Sequence, residues 1–136
     1  MNIFLMDLEI LKFASDTSNT KDIQKCTHKA KSKNILCGDY IFIKLNLEKN
    51  FIKDVFFKTH SCIYCQASAS LLLKEIKHNK LDNVVKLLKE INEFYAGKNI
   101  KIKGHLGKIF NKKNFKRRQC IHLPVKSLYK ALKLKN

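Results

Sequence analysis

Residues 37–62 read CGDYIFIKLNLEKNFIKDVFFKTHSC, and this stretch decides the fold. Ile41, Ile43, Leu45 and Leu47 alternate with Phe42, Lys44 and Asn46, the period of two that gives a strand one buried face. Glu48, Lys49 and Asn50 supply a turn, after which Phe51, Val55 and Phe57 share one face of a second strand. A turn centred near Lys49 pairs Ile41 with Phe57, Ile43 with Val55 and Leu47 with Phe51 in an antiparallel hairpin. That register also sets Cys37 beside Ser61 and Cys62. The thiol and carboxylate of Cys37 and Asp39, at the entrance of one strand, thereby meet a second thiol from the far end of the next.

Helical periodicity flanks the hairpin. Residues 4–14 read as a short helix with Phe4, Leu5, Leu8 and Leu11 on one face, and residues 15–36 as a polar connection. Residues 64–77 (YCQASASLLLKEIK) form a helix that begins with small residues, which lets its backbone pack closely. Cys62 stands just ahead of its N-terminus, where unpaired N–H groups and the helix dipole favour a thiolate. A further helix at 80–95 carries Leu81, Val84, Leu88, Ile91 and Tyr95 at helical spacing, with Asn79 as its cap. Residues 97–118 read as a basic, glycine-containing, solvated and mobile connection. Pro124 suits the first turn of a last helix through Leu128, Leu132 and Leu134, with Cys120 in the turn before it. No internal repeat or domain boundary is visible, so residues 1–136 read as a single domain in which 1–31 is an N-terminal helix and connection.

The net charge is +17, from 28 Lys+Arg against 11 Asp+Glu, and only Arg117 and Arg118 are arginine. Such a field favours acidic partners, nucleic acid among them. The lysines are spread along the whole chain, however, which reads as a solvated coat rather than a nucleic-acid patch. The opening run MNIFLMDLEILKF carries Asp7 and Glu9 and no small-residue cleavage pattern, so a signal peptide is not expected. No run approaches the roughly 18 apolar residues that span a membrane. Five cysteines (Cys26, Cys37, Cys62, Cys65 and Cys120) make no dense, even disulfide framework. In the reducing cytoplasm, the expected location, such thiols bind metal or handle sulfur.

Cys37, Asp39 and Cys62 gather at one end of the hairpin, and Cys120 is a third thiol at an element boundary. Three thiolates and a carboxylate are enough for tetrahedral zinc or for the irons of a small cluster. The plainer reading is of buried or incidental cysteines beside a turn aspartate.

The segments CGDYIFIKL, FIKDVFFKTHSCIYCQASASLL and RRQCIHLPVKSLYKAL resemble the three cysteine motifs of the IscU/SufU/NifU N-terminal scaffold family, from about Ser32 to the C-terminus. The A-S-A-S tract after a hairpin and a cysteine is the most specific part. The resemblance implies an α+β fold, a small antiparallel sheet with helices packed around it. It also implies that Cys37, Asp39, Cys62 and Cys120 hold a 2Fe–2S or 4Fe–4S cluster. The resemblance implies further that the sulfur comes as persulfide from a cysteine desulfurase and that the cluster passes to recipient apo-iron–sulfur proteins. One hard oxygen among three thiolates matches iron–sulfur chemistry less well, so Asp39 is expected to keep the cluster labile.

Several positions depart from the family pattern. Thr59 and Ser61 stand where glycines are usual, Cys65 where serine is, and Val125 where tryptophan is. Gln119 replaces the histidine that the IscU branch carries before its last cysteine. The Pro-Pro-Val-Lys tract which that branch offers its heat-shock chaperone is missing from 97–119. Arg117, three residues before Cys120, and the long Cys62-to-Cys120 spacing resemble the SufU branch instead. That branch binds zinc with the same four ligands and relays sulfur from its desulfurase.

Cys120 is therefore expected to be the persulfide acceptor, reached from a flexible basic side, with Arg117 stabilising its thiolate or contacting the carboxylate. The chain is then a scaffold rather than an enzyme, at most a sulfur-transfer relay; its oligomeric state stays open. Two other readings are weighed against this one. Cys62-Ile63-Tyr64-Cys65 has the spacing of a glutaredoxin-like dithiol, against which Cys65 is expected to be a small helix residue, buried or lending a spare thiol. The basic tract 101–118, with Phe110 and Phe115, is the nucleic-acid alternative. His122 reads as a packing residue rather than a ligand, and His60 as a neighbour of Cys62.

Overall fold

The hairpin forms, with a tighter turn than its sequence suggested. A computed structural model describes the backbone of residues 3–134 and the side chains of residues 8–134. Strands β2 (Tyr40–Glu48) and β3 (Phe51–His60) leave only Lys49 and Asn50 between them, both at positive φ (52° and 62°), as a two-residue hairpin turn demands. The register is Ile41 to Thr59, Ile43 to Phe57 and Leu45 to Val55, displaced by two residues from the expected pairing. A shift of two keeps each side chain on its face.

The irregularity lies next to the turn. Asn46 pairs with Asp54 but Leu47 pairs with Ile52, so Lys53 is an extra residue in β3. The bulge reverses which residue points inward: Ile52 is fully buried, whereas Phe51, expected in the core, is 37% exposed.

A third strand, β1 (His28–Lys33), pairs antiparallel with β2 and completes a sheet of order β1-β2-β3. The sequence reading had assigned this segment to a polar connection. Only Ala30 and Ser32 turn inward, and the lysines between them hide the alternation.

Helices α1 (Ile3–Ala14), α2 (Ile63–Ile76), α3 (Leu81–Tyr95) and α4 (Arg118–Ala131) complete an α+β architecture. Ile41, Ile43, Leu45, Val55 and Phe57 share the core with Leu72, Leu73 and Ile76 of α2 and with Ile121, Val125 and Leu128 of α4. In α1 it is Ile10 that is buried, with Phe13 packed against the core, while Leu8 and Leu11 are 45% and 42% exposed. The expected inward face was therefore wrong at those two positions; the side chains of Phe4 and Leu5 lie outside the described residues. Asn79 does not occupy the cap position of α3, which falls to Lys80; its Oδ1 instead accepts the Lys80 N–H at 2.8 Å.

Two further corrections concern the C-terminal third. Residues 97–118 are not a solvated loop: 3₁₀ turns at Gly104–Lys108 and Lys112–Arg117 bury Ile102, Leu106, Ile109 and Phe110. Asn114 is buried with them and donates to the Ile109 carbonyl at 3.1 Å. Helix α4 begins at Arg118, so Cys120 lies in its first turn and Pro124 well inside it. Pro124 has no N–H to offer the Cys120 carbonyl four residues earlier.

Candidate metal centre

The turn between β1 and β2 is held by its own backbone. The Asn34 N–H donates to the Asp39 carbonyl at 2.7 Å, the Gly38 N–H to the Asn34 carbonyl at 2.8 Å, and the Leu36 N–H to Asn34 Oδ1 at 3.1 Å. Gly38 adopts φ +76°, which a side chain would resist, and so turns the chain between Cys37 and Asp39. Cys37 is left exposed, next to Ile35 and Leu36, which are 90% and 82% exposed. Asp39 is only 9% exposed.

From the other end of the hairpin, Cys62 takes the N-cap position of α2, and its N–H points to Asp39 Oδ2 at 3.4 Å. A carboxylate at a helix N-terminus is favoured by the dipole. Cys120, half-buried, arrives on the first turn of α4. The Cys37 and Cys120 sulfurs and a carboxylate oxygen of Asp39 all lie within 4.8 Å of one another. Two sulfurs on one tetrahedral zinc stand about 3.8 Å apart, so this set needs only a small closure to hold an ion. Cys62 falls outside the 4.8 Å set but within reach of Cys120: after burial, it is the neighbour that acts most strongly on that thiol.

The electrostatics suit a cation. Burial pushes the Cys120 thiol well above its ordinary range, and the nearby Cys62, Asp39 and Cys37 push it further by disfavouring another negative charge. A metal ion removes that repulsion. Three soft sulfurs and one hard oxygen fit zinc, or iron held with sulfide.

The packing of α2 on α4 sets where the two helix-borne thiols stand. Ala67, Ser68 and Ala69 are fully buried, and the Ser68 Oγ donates to the Ile121 carbonyl, next to Cys120, at 2.6 Å. The A-S-A-S tract thus lets the helices approach closely and ties them together.

The structure places Arg117 on an exposed surface with its guanidinium carbon 5.2 Å from the centre of the Tyr64 ring. Among the described residues no ion pair joins it to Asp39. His122 is a packing residue: its Nε2 is 2.7 Å from Asn92 Oδ1 and its ring meets Tyr95 edge-on. Burial, and then Lys126, hold its pKa below the ordinary value. The His60 ring lies tilted at 52° to that of Tyr40, with centroids 6.0 Å apart.

Cys65 is fully buried and its pKa is pushed up to about 12, chiefly by that burial, despite the hydroxyls of Ser61 and Thr59 beside it. These hydroxyls lie 2.8 Å apart, and Thr59 also donates to the Tyr40 carbonyl at 2.6 Å, roles glycines could not fill. A working dithiol needs a reachable second thiolate, which Cys65 does not provide. Cys26 is exposed, with its sulfur directed to the His28 carbonyl.

The family model of the NifU-like N-terminal domain matches residues 8–117. The iron–sulfur cluster assembly scaffold protein IscU of Thermotoga maritima is 32% identical over 128 residues, 91% of this chain and 89% of that protein. Among solved structures, a candidate scaffold protein for the SUF system of Fervidobacterium islandicum superposes with a TM-score of 0.82 at 25% identity, over 90% of this chain and 93% of that one. The N-terminal part of a NifU-like protein from Brucella abortus gives 0.78 at 16% identity, over 91% and 89% of the two chains. That last likeness speaks for the fold alone.

Proposed function

The chain belongs to the NifU-like N-terminal domain family of iron–sulfur cluster scaffolds, and on that premise we propose that it assembles a cluster on Cys37, Asp39, Cys62 and Cys120. The convergence of Cys37 and Asp39, on one turn, with Cys120 from a distant part of the chain, all within 4.8 Å, carries the reading. Sulfur reaches the site as the persulfide of a cysteine desulfurase: the Cys120 thiolate attacks its outer sulfur, the donor S–S bond breaks, and the desulfurase cysteine leaves as a thiolate. The dipole at the first turn of α4 offsets part of the repulsion that Cys62, Asp39 and Cys37 exert on that sulfur. Arg117, stacked on Tyr64, fixes the start of α4 against α2 and positions Cys120 rather than touching the reacting sulfur. The exposed Ile35 and Leu36 beside Cys37 offer the partners an apolar contact within a basic surface. Recipient apo-proteins take the finished cluster, which Asp39 holds less firmly than a fourth thiolate would.

A cytoplasmic placement is part of the same proposal, because thiols that hold metal or sulfur need a reducing compartment; no described helix is long and apolar enough to cross a membrane. A second reading has a specific support, a donor set of thiols and one carboxylate that suits tetrahedral zinc without added sulfide. It is a zinc-holding relay that passes sulfur on without building a cluster. Anaerobic reconstitution with iron(II), sulfide and a thiol reductant, followed by metal analysis and an absorption spectrum, separates the two. A visible chromophore that disappears in Cys37→Ser supports the scaffold. Tight zinc with no chromophore supports the relay and ends the scaffold reading.

A further inference from the structure

Four lysines line a groove of about 670 Å³ between β1 and α4. Lys31 and Lys33, two apart on a strand, share one face of β1, and Lys126 and Lys130 lie one turn apart on α4. No acidic side chain lines the groove, and none of the four is ion-paired among the described residues. Two of the ammonium groups are nonetheless held in place: Lys130 Nζ donates to the Lys31 carbonyl at 2.7 Å, and Lys31 Nζ stands 5.6 Å from the centre of the Tyr40 ring. Neither contact neutralises a charge. Ser32 lies between Lys31 and Lys33 along the same wall, with its side chain turned to the opposite, inward face of β1. Gly38 lines the groove too, and its chain neighbours are Cys37 and Asp39.

Like charges gathered around a groove with no counter-charge repel one another until an anion bridges them. Beside a site that must receive iron, they also raise a difficulty. A bare iron(II) ion approaching a chain of net charge +17 is repelled, and most strongly by these four groups next to Cys37. Iron carried in an anionic complex is attracted instead.

We propose that this groove binds a compact polycarboxylate anion of the kind that chelates iron, and so brings iron to the side of Cys37 and Asp39. The proposal rests on the scaffold reading for its purpose but not for its measurement. Carboxylate oxygens hold iron as hard donors, and the thiols beyond Gly38 are the softer ligands to which it can pass. Ammonium groups accept phosphate as readily as carboxylate, so it is the need for iron that selects the polycarboxylate.

The test titrates the full-length, metal-free protein calorimetrically with citrate at low salt. One saturable site is expected, weakened about tenfold or more in the double variant Lys126→Gln/Lys130→Gln and likewise in Lys31→Gln/Lys33→Gln. The pair Lys86→Gln/Lys89→Gln, exposed on α3 and outside the groove, removes the same charge and is expected to leave the affinity within about twofold. Equal weakening by all three pairs, or binding that never saturates, would mean general attraction to the lysine coat and overturns the proposal. Tripolyphosphate binding more tightly than citrate at the same lysines overturns the choice of ligand class. The two readings fail separately. If a cluster assembles from an iron(II) salt while citrate does not bind, the groove is lost and the scaffold stands. If citrate binds as described and no cluster assembles, the groove stands and the scaffold is lost.

Discussion

Replacing Ser68 by leucine is expected to force apart the helices that carry Cys62 and Cys120. Ser68 is fully buried between α2 and α4, flanked by Ala67 and Ala69, and its hydroxyl donates to the Ile121 carbonyl at 2.6 Å. Removing that hydrogen bond alone, as Ser68→Ala does, costs about 1 kcal/mol. Leucine removes it and also inserts a larger side chain where neither backbone leaves room, an overpacking of about 1–3 kcal/mol. The sum is about 2–4 kcal/mol, a large part of the stability of a domain this size. The assay pairs urea unfolding of the metal-free protein with zinc affinity measured by chelator competition. Ser68→Ala is expected to unfold about 1 kcal/mol more easily and keep its zinc affinity within about threefold. Ser68→Leu is expected to lose about 2–4 kcal/mol and to bind zinc at least about tenfold more weakly, because the donors no longer close on one ion. Should Ser68→Leu not fold, Ser68→Thr adds a single methyl and keeps the hydroxyl. A destabilised variant that binds zinc as tightly as the parent would refute the argument that helix spacing sets the site.

Asp39→Ala removes the one oxygen donor, and cluster transfer to an apo-ferredoxin is expected to slow by about tenfold; an unchanged rate counts against a labilising role. In Gly107→Ala the new Cβ would stand 2.2 Å from the Ile102 carbonyl oxygen, so thermal unfolding should show a loss of about 2 kcal/mol or more; wild-type stability would contradict the close packing of 97–118. Asp16 has its pKa lowered by hydrogen bonds from Ser18 and then by Lys74 of α2, whose Nζ is 3.1 Å from Oδ2. A depressed carboxyl pKa contributes stability that is full above its unfolded value near 3.8 and is lost as pH falls through the folded value. The advantage of the parent over Asp16→Asn should therefore be present at pH 7 and shrink as pH falls below 3.8, and melts that keep the same gap throughout that fall would exclude this linkage.

How much of this was legible in the sequence varied with what each segment buries. The β2–β3 hairpin was plain because large aliphatic residues fill every second position, and α3 because its apolar stripe is bordered by charge. β1 was hidden, since a strand whose inward residues are only Ala30 and Ser32 has almost no hydrophobic signature. The bulge at Lys53 was hidden for another reason: a single inserted residue leaves no trace in composition, and only Ile52 facing inward in place of Phe51 reveals it. For the site, meeting thiols from the two ends of the hairpin was a register argument, and an error of two residues did not disturb it. The setting of Cys120 was misjudged because Pro124 reads as a helix start, whereas it is tolerated inside α4, where it leaves only the Cys120 carbonyl without its usual donor. The hydroxyl pair of Thr59 and Ser61, and the Ser68 tie between helices, could be found only from the packed structure.

The four proposed donors differ in how firmly they are held, and this bears on how a cluster could leave. Cys62 and Cys120 sit at the starts of helices packed through fully buried small residues, so neither sulfur can retreat without disturbing the core. Cys37 stands on a turn whose hydrogen bonds are almost all internal to residues 34–39, with its apolar side chains in solvent. Such a turn can move as a unit without breaking contacts elsewhere, and opening it costs little compared with unfolding either helix. Asp39 lies at the junction, the last residue before β2, with its carboxylate against the N-terminus of α2. Release would then begin at Cys37, pass through the weakest ligand bond at Asp39, and leave the two helix thiols last. Stiffening the turn is the direct test. Ile35→Pro limits its backbone without touching a donor, and it should slow transfer to an acceptor protein more than Ile35→Ala, which removes the same apolar contact, while leaving the absorption spectrum of the assembled cluster unchanged; equal transfer by the two variants would place the first opening elsewhere.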